Sequence, residues 1–278
     1  MRLEFKNRLG TISMSGGGED NVRITGISGL GVPQYERRTY SSYDFDGIME
    51  SMKRFPARNI TVSGDIKGTV YDAAEIARIL SEPSEMKIVS DSFVRIISVN
   101  ACDVQFTKKS DAFVKFAMSA VCDDPYFYDS DYHEVGLYKR EALIDSDTVL
   151  PAMFSKRTSS ASIKITSHRD VEPIITILGK RNPDETEGKI VIKNRLTGAE
   201  FVLLYVPDND EIITIDVSKR TIKSDKNGNL IGFISDDSFL SDLIIGEQGA
   251  EFVTTGYGAA GNIDAYIKYK NKYIEAMV

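Results

Sequence analysis

Apolar and polar residues alternate along much of the first half of the chain, which is the period-2 pattern of half-buried β-strands. Strands are predicted at 59–68, 93–99, 101–111 and 112–121. A Ser-Gly-Asp break interrupts the first of them, and the third closes in the polar turn TKKSD. The connections between these runs are too short for parallel crossovers, so the pattern predicts an antiparallel meander.

One stretch of the first half has helical spacing instead. The segment 71–83, YDAAEIARILSEP, predicts a single helix that packs one apolar stripe on a sheet. Asp72 and Glu75 are spaced as a capping pair at its start, and Pro83 is expected to end it. The stripe consists of Ala73, Ile76, Ala77 and Leu80.

The second half repeats the strand pattern without a helix, and turn residues separate its short runs. Asn227-Gly228 lies between two such runs and is a strong hairpin signal, because both residues tolerate positive φ. Many short strands with turns between them predict a β-sandwich. The runs are 160–167, 173–179, 189–194, 200–206, 211–224, 230–235, 250–255 and 262–274.

The strand periodicity is weakest between residues 129 and 159, and this gap predicts a domain boundary. A chain of 278 residues is long enough for two domains with their own cores. We therefore expect an N-terminal β domain at 1–135, a linker at 136–159 and a C-terminal β domain at 160–278. The predicted fold class is mainly β.

A cluster of aromatic residues closes the last strand of the first half, in the sequence DDPYFYD. Asp124 precedes Pro125 and is therefore extended, and the proline cannot donate to a strand ladder. Tyr126, Phe127 and Tyr128 then add large apolar area with two polar tips. Two interpretations stay open, core packing at the end of a domain and a seam between domains or subunits.

Charge and hydropathy exclude several classes of protein. The net charge is −7 and no basic run occurs, which argues against nucleic-acid binding through bulk charge. No run approaches the ~20 apolar residues of a membrane-spanning helix. The N-terminus lacks a signal-peptide pattern, so we expect assembly in a cytoplasm. Cys102 and Cys122 are expected to be small buried side chains rather than a disulfide or a metal pair.

Motifs for catalysis and ligand binding are weak. Gly26, Gly29 and Gly31 have the wrong order for a dinucleotide loop and are interpreted as turn glycines. Residues 225–236 resemble a calcium loop, but Leu230 lies where the sharp turn needs glycine. His133 and His168 are far apart in the sequence. No catalytic residue, cofactor or metal site is predicted.

The order of these segments resembles the distal tail proteins of long-tailed phages and prophages of Gram-positive hosts. The likeness spans nearly the whole chain, from the early glycine-rich turn and the Asp46-Gly47 turn, through Arg58 before its strand, to the Asp-Pro-Tyr-Phe-Tyr close at 124–128. In the second half it rests on the segments VEPIITILG, IKNRLTG, EIITIDVSKRTIKSDKNG and AYIKYKNKYI.

The resemblance implies a structural virion protein at the tail tip. It implies a split β-barrel-like N-terminal domain with one α-helix, which forms a hexameric ring, and a galectin-like β-sandwich at the C-terminus. The implied partners are other copies of the chain, the tail tube protein and a tail-tip or fibre protein, without nucleic acid or membrane insertion. Interface candidates are Arg58, Asp124, Pro125, Tyr126, Phe127 and Tyr128.

Two other functions stay open. The second domain could be a carbohydrate-binding module that recognises cell-wall glycan, but the chain has no tryptophan for sugar stacking. Its candidates are Tyr205, Tyr257, Tyr266 and Tyr269. A cell-wall hydrolase would need a catalytic dyad or a metal site, and the sequence shows neither.

Overall fold

The computed structural model of the chain divides into two units, and the second is inserted into the first. The first unit is Met1–Ser130 together with Lys272–Val278, and the second is Asp131–Asn271. The structure describes residues 1–17, 20–41, 46, 49–68, 70–108, 110, 112–137, 139–142, 155–158, 160–179, 188–255 and 264–276. Gly47 and Tyr257 lie outside these residues, so the predicted Asp46-Gly47 turn and the candidate Tyr257 are not described.

The first unit is built mostly from antiparallel strands and has one helix among its described residues. Its elements are β1 (Arg2–Asn7), β2 (Gly10–Ser15), β3 (Val22–Ser28), β4 (Glu36–Tyr40), β5 (Met49–Arg54), β6 (Arg58–Lys67), α1 (Val70–Leu80), β7 (Ser84–Val89), β8 (Val94–Val99), β9 (Ala101–Lys108), β10 (Phe113–Cys122) and β11 (Phe127–Asp129). A last strand, β24 (Lys272–Tyr273), comes from the C-terminal end of the chain.

Ten of these strands form one sheet in the order β24-β11-β8-β7-β1-β2-β3-β6-β10-β9. A single parallel bridge, Ser15 to Arg23, joins two antiparallel halves of this sheet. The predicted antiparallel pairing is therefore confirmed, but a meander is found only for the consecutive strands β9 and β10. β6 pairs with β10 instead of β8, and β8 pairs with β7 in the other half of the sheet. Strands β4 and β5 form a separate hairpin, and every residue of β4 is exposed.

Inward side chains of both halves share one core, which includes Leu3, Phe5, Ile60 and Phe127 at 0% exposure. Helix α1 closes this core with Ala73, Ile79 and Leu80. The predicted helix is confirmed, but it begins earlier than Asp72. The helix begins at Val70, so Asp72 lies within the first turn, where its charge still favours the positive end of the helix dipole.

Strand β6 is continuous through Gly64, so the predicted break at Ser-Gly-Asp is wrong. Gly64 pairs with Ile24 on one side and Phe116 on the other. A Cβ at this position would collide with the carbonyl oxygen of Arg23 and with the Phe116 ring. Glycine here therefore allows a close approach of neighbours rather than a turn.

The second unit consists of short strands in two main sheets. Its strands are β12 (His133–Gly136), β13 (Lys139–Ala142), β14 (Ser155–Thr158), β15 (Ser160–Ile163), β16 (Ile174–Leu178), β17 (Ile190–Asn194), β18 (Glu200–Leu203), β19 (Ile212–Asp216), β20 (Thr221–Ser224), β21 (Gly228–Asn229), β22 (Ala250–Thr255) and β23 (Asp264–Tyr269). The sheets have the orders β12-β23-β16-β19-β20-β21 and β15-β22-β17-β18, and β13 pairs with β14.

The second unit has its own core, in which Ile175, Ile213, Phe201 and Phe252 are fully buried. The predicted run 211–224 is two strands, because Arg220 adopts φ +54 in the turn between β19 and β20. The predicted strand at 230–235 is instead a 3-10 helix at Ile231–Phe233. A second 3-10 helix lies at Leu240–Leu243.

The observed limits of the two units differ from the predicted domain limits. Strand β12 pairs with β23 and so belongs to the second unit, and the predicted linker at 136–159 contains the paired strands β13 and β14. Residues 272–276 join the first unit, because β24 pairs with β11 through Phe127 and Tyr273. The predicted C-terminal strand at 262–274 is therefore two strands in different units.

Candidate functional site

Arg58 lies at the centre of a set of main-chain contacts in the first unit, which we call the Arg58 junction. Its side chain is buried, and the residue is only 3% exposed. The guanidinium group donates four hydrogen bonds, all to carbonyl oxygens. The acceptors are Pro125 (Nε, 2.7 Å), Gly29 (Nη1, 2.6 Å), Gly31 (Nη1, 2.7 Å) and Ile274 (Nη2, 2.6 Å).

These acceptors belong to three segments that are far apart in the sequence. They are the turn after β3, the segment before β11 and the C-terminal segment that contains β24. Arginine suits this position because its planar guanidinium group carries five N–H donors in a fixed arrangement. Burial lowers the pKa of Arg58, and the nearby Cys122 has a smaller, opposite effect. The Arg58 junction therefore stabilises main-chain positions rather than a pair of opposite charges.

The turn after β3 needs glycine at Gly29, which adopts φ +90. A Cβ at this position would collide with the carbonyl oxygen of Asn59. Leu30 is buried between the two glycines, and its carbonyl oxygen accepts a hydrogen bond from the N–H of Ala276 at 2.9 Å. The prediction of turn glycines is confirmed at Gly29, and the turn presents its carbonyl groups to Arg58 and to the C-terminal segment.

The Asp-Pro-Tyr-Phe-Tyr segment forms the other side of the junction. Asp124 accepts hydrogen bonds from the N–H of Tyr126 at 3.1 Å and from the hydroxyl of Tyr128 at 2.6 Å. Phe127 is fully buried, and its ring centroid lies 4.5 Å from the Arg58 guanidinium carbon. The segment thus turns one aromatic ring into the core and leaves its two tyrosines partly exposed.

The structure brings all six interface candidates into one region of the first unit. Arg58 contacts Pro125 and Phe127 directly, and Asp124 connects Tyr126 with Tyr128. The core interpretation is confirmed for Phe127. An interface role for the six residues stays a prediction.

A second group of contacts, which the sequence did not indicate, also holds β24. Asp129 accepts a hydrogen bond from the Tyr273 hydroxyl at 3.1 Å and pairs with Arg95 at 3.2 Å. The guanidinium carbon of Arg95 lies 3.7 Å from the centroid of the Tyr273 ring. The sequence signal for this arrangement is Tyr273, an aromatic residue in the predicted strand 262–274. Nothing in that strand pattern assigns Tyr273 to the first unit.

The second unit contains a buried carboxylate whose acceptor sites are well used. Glu211 is 0% exposed and accepts hydrogen bonds from the Tyr205 hydroxyl (2.7 Å), the Asp208 N–H (2.7 Å), the Asn227 amide (3.1 Å) and the Ser224 hydroxyl. Burial by itself raises the pKa of Glu211, but these hydrogen bonds outweigh it and hold the pKa below its ordinary value. Glu211 therefore connects two parts of the second unit. It binds the segment before β19 through Tyr205 and Asp208, and the hairpin of β20 and β21 through Ser224 and Asn227.

The calcium-like segment 225–236 uses its side-chain oxygens for local structure. Asp225 accepts a hydrogen bond from the N–H of Ile212 at 2.9 Å, and Asn229 accepts one from the N–H of Ile231 at 3.2 Å. The predicted hairpin is confirmed by the pairing of β20 with β21, and Gly228 has φ +74, but Asn227 does not adopt the positive φ that the prediction assumed. Within the described residues, no group of three or more His, Cys, Asp or Glu side chains could hold a metal ion.

The tyrosines proposed as sugar platforms differ in accessibility. Tyr269 is only 7% exposed and stacks on His133 at 5.2 Å between ring centroids. The Tyr205 hydroxyl is already bound to Glu211 and Asn227. Tyr266 is partly exposed in β23. A further result concerns membranes: no helix among the described residues is long and apolar enough to cross one.

Comparison with solved structures gives full-length matches. The crystal structure of the Dit protein of phage SPP1, described as a hub adsorption apparatus of phages that infect Gram-positive bacteria, matches with a TM-score of 0.66 and 15% sequence identity. That match covers 98% of this chain and 99% of the SPP1 protein. No family model matches the chain, and neither does any curated protein.

Two structures of the phage p2 baseplate in its activated conformation, with Ca and with Sr, also match. Each gives a TM-score of 0.54 at 13% identity and covers 99% of this chain. The matched baseplate chains are covered over 99% and 100% of their lengths. The chain therefore has the mainly β fold of the phage hub protein Dit, and the resemblance noted in the sequence is confirmed at the level of the fold.

Proposed function

We propose that this chain is a distal tail protein, a structural component of the virion at the tip of a phage tail. In this proposal its first unit forms a hexameric ring that joins the tail tube to the tail-tip, baseplate or receptor-binding proteins. The phage or prophage would have a Gram-positive host, and the particle would be assembled in the host cytoplasm. The role is structural and not enzymatic.

The observation that carries the proposal is the full-length likeness to the SPP1 Dit protein, with a TM-score of 0.66 over 98% of this chain. The match includes both units, so it is not the sharing of one common β domain. Because low sequence identity accompanies this likeness, the fold supports the role and an assembly experiment has to test it.

The first unit also has a sheet edge at which another chain could bind. Strand β9 is the last strand of the ten-stranded sheet, and among the described residues it pairs only with β10. Edge strands carry unpaired N–H and C=O groups that can pair with another chain. A ring requires a heterologous interface, in which one surface of each copy contacts a different surface of the next. The open edge of β9 provides one such surface.

The carbohydrate-binding alternative has less support from the second unit. Tyr269 is buried, and the Tyr205 hydroxyl is used by Glu211 and Asn227. Sugar stacking needs an exposed aromatic face and free polar partners beside it. Neither of these two tyrosines offers both.

Light scattering on the purified full-length chain tests the ring. The expected particle has six times the chain mass of 30.9 kDa, and negative-stain images should show sixfold rings. The chain is measured by itself and in a mixture with the tail tube protein of the same phage, because ring formation can require that partner. A chain that stays monomeric at high concentration under both conditions contradicts the proposal.

A further inference from the structure

Three large apolar side chains are exposed on two neighbouring segments of the second unit. Leu204, Ile231 and Phe233, which we call the Phe233 patch, are 53%, 43% and 45% exposed. The N–H of Leu204 donates to the carbonyl oxygen of Phe233 at 2.7 Å, so these two residues are neighbours. Ile231 begins the 3-10 helix that ends at Phe233. Contiguous exposed apolar side chains are costly in water and commonly mark a surface that another molecule covers.

Buried contacts hold the Phe233 patch in place. Leu203 and Leu230, which precede Leu204 and Ile231, are fully or almost fully buried. Leu203 also forms a β-bridge with Ile234. The Tyr205 ring packs edge-on against Phe233 at 5.3 Å between centroids, and its hydroxyl donates to Glu211. A surface held in this way loses little conformational entropy when it binds.

Negative charges predominate in the chain segments that carry the patch, and Lys226 from the neighbouring turn donates to the carbonyl oxygen of Asn209 in one of them at 2.6 Å. The two chain segments that carry it, 204–210 and 229–242, contain five aspartates and no lysine or arginine. Asp236 and Asp237 are exposed and follow the 3-10 helix after Ile234 and Ser235. Such a rim attracts a cationic surface and repels anionic polymers. The five are Asp208, Asp210, Asp236, Asp237 and Asp242.

We propose that the Phe233 patch binds a protein segment that presents apolar side chains flanked by lysine or arginine. An exposed aromatic ring with an aliphatic neighbour suits apolar protein side chains better than the flat face of a sugar. The acidic rim adds specificity for a cationic neighbour. The inference concerns a surface of the second unit and does not depend on ring formation by the first.

Fluorescence anisotropy with synthetic peptides on the full-length protein tests this. The probe is a fluorescein-labelled peptide of alternating leucine and lysine, and matched peptides replace lysine by glutamine, lysine by glutamate, or leucine by serine. We expect the leucine–lysine peptide to bind tightest. Raising the salt from 0.1 M to 1 M shortens the screening length from about 10 Å to about 3 Å and should weaken this binding but not that of the glutamine peptide.

Two variants locate the binding surface. Phe233→Ala should weaken binding of the leucine–lysine peptide by about 5- to 30-fold, the loss typical of truncating an aromatic contact residue. Phe113→Ala is the matched control, because Phe113 is the same residue type with 44% exposure in the first unit, and it should bind as wild type. Asp236→Asn combined with Asp237→Asn should reduce both the affinity and its salt dependence.

Several outcomes overturn the proposal. Equal binding of the lysine and glutamate peptides excludes charge recognition, and wild-type affinity in Phe233→Ala excludes the patch. Purified cell-wall polysaccharide that binds wild type but not Phe233→Ala would identify a glycan site instead. Self-association that Phe233→Ala abolishes would identify a second copy of this chain as the occupant. Thermal melting of each variant establishes that the second unit remains folded.

Discussion

Replacing Arg58 by alanine should destabilise the first unit and release the C-terminal segment. The substitution removes the donors of four hydrogen bonds at 2.6–2.7 Å. It also removes the guanidinium group packed on the Phe127 ring at 4.5 Å. The carbonyl groups of the three segments would then lie in a partly buried space without their partner.

The expected loss follows from the number and type of these bonds. A hydrogen bond from a charged donor contributes about 1.5–3 kcal/mol, and four such values would approach the whole stability of a domain, roughly 5–15 kcal/mol. The contributions do not add, because water enters the vacated space and hydrates some of the carbonyl groups. A buried acceptor left without its partner costs about 1–3 kcal/mol, and with some of the four carbonyl groups hydrated we expect a loss of about 3–5 kcal/mol in the free energy of unfolding of the first unit.

Urea unfolding and hydrogen–deuterium exchange together test this expectation. Amides of residues 272–276 should exchange at least about 10-fold faster in Arg58→Ala, the change produced by 1.4 kcal/mol of local stability. Arg58→Lys should recover only part of the loss, because one ammonium group cannot reach all four acceptors.

Arg54→Ala is the matched control for this experiment. Its guanidinium group is 58% exposed and pairs with Glu36 at 2.9 Å, so its loss should change stability by no more than about 0.5 kcal/mol. The reasoning is refuted if Arg58→Ala unfolds like the control, or if exchange at 272–276 is unchanged.

Three further predictions concern single side chains. Phe127→Ala should cost about 3–5 kcal/mol, since Phe127 is fully buried, whereas Tyr126→Ala, at a partly exposed residue, should cost clearly less in the same urea experiment. Burial raises the pKa of both Cys102 and Cys122 to about 11. Relative to an ordinary thiol of pKa 9.0, the thiolate fraction at pH 8 falls about 100-fold, so thiol labelling should be that much slower in the native than in the unfolded protein. The pKa of Glu211 is lowered in the folded state, so its contribution to stability is present above the unfolded pKa of 4.5 and is lost as the pH falls below it. Glu211→Gln should therefore reduce the loss of stability of the second unit in acid.

Each of these predictions has a contrary result. Equal melting of the Phe127 and Tyr126 variants would mean that the aromatic segment does not alternate between core and surface. Labelling of the native thiols at the rate of the unfolded chain would contradict their burial. An unchanged acid-unfolding curve in Glu211→Gln would mean that other carboxyl groups control the acid response of the second unit.

Hydrophobic periodicity predicted most of the strands and the helix, because each of these elements buries one face in a core. Periodicity failed where apolar side chains do not point into a core. The apolar run at 230–235 has the composition of a strand, but the Asn229 side chain accepts from the N–H of Ile231 and a 3-10 turn follows. Ile231 and Phe233 stay exposed, a result that apolar character alone could not indicate.

The candidate site was predictable only in part. The sequence left core packing and a seam open for the aromatic segment and did not decide which of its rings is buried, and Arg58 was selected by the family resemblance. The role of Arg58 could not be read from the sequence, because all four acceptors are main-chain carbonyl groups, which every residue carries. For the same reason no pattern assigned Ile274 and its neighbours to the first unit.

The insertion of the second unit between β11 and β24 determines how mechanical force would pass through the protein. The chain leaves the first unit after Ser130 and returns at Lys272, and the two strands next to these points are antiparallel neighbours. A pull on the second unit is therefore shared by two covalent attachments that leave one edge of a sheet together. Within the first unit this load is resisted by the pairing of β11 with β8, by the Arg95–Asp129–Tyr273 contacts and by the bond from Arg58 to Ile274. A single backbone cleavage within residues 131–271 would leave one attachment intact on each side of the cut.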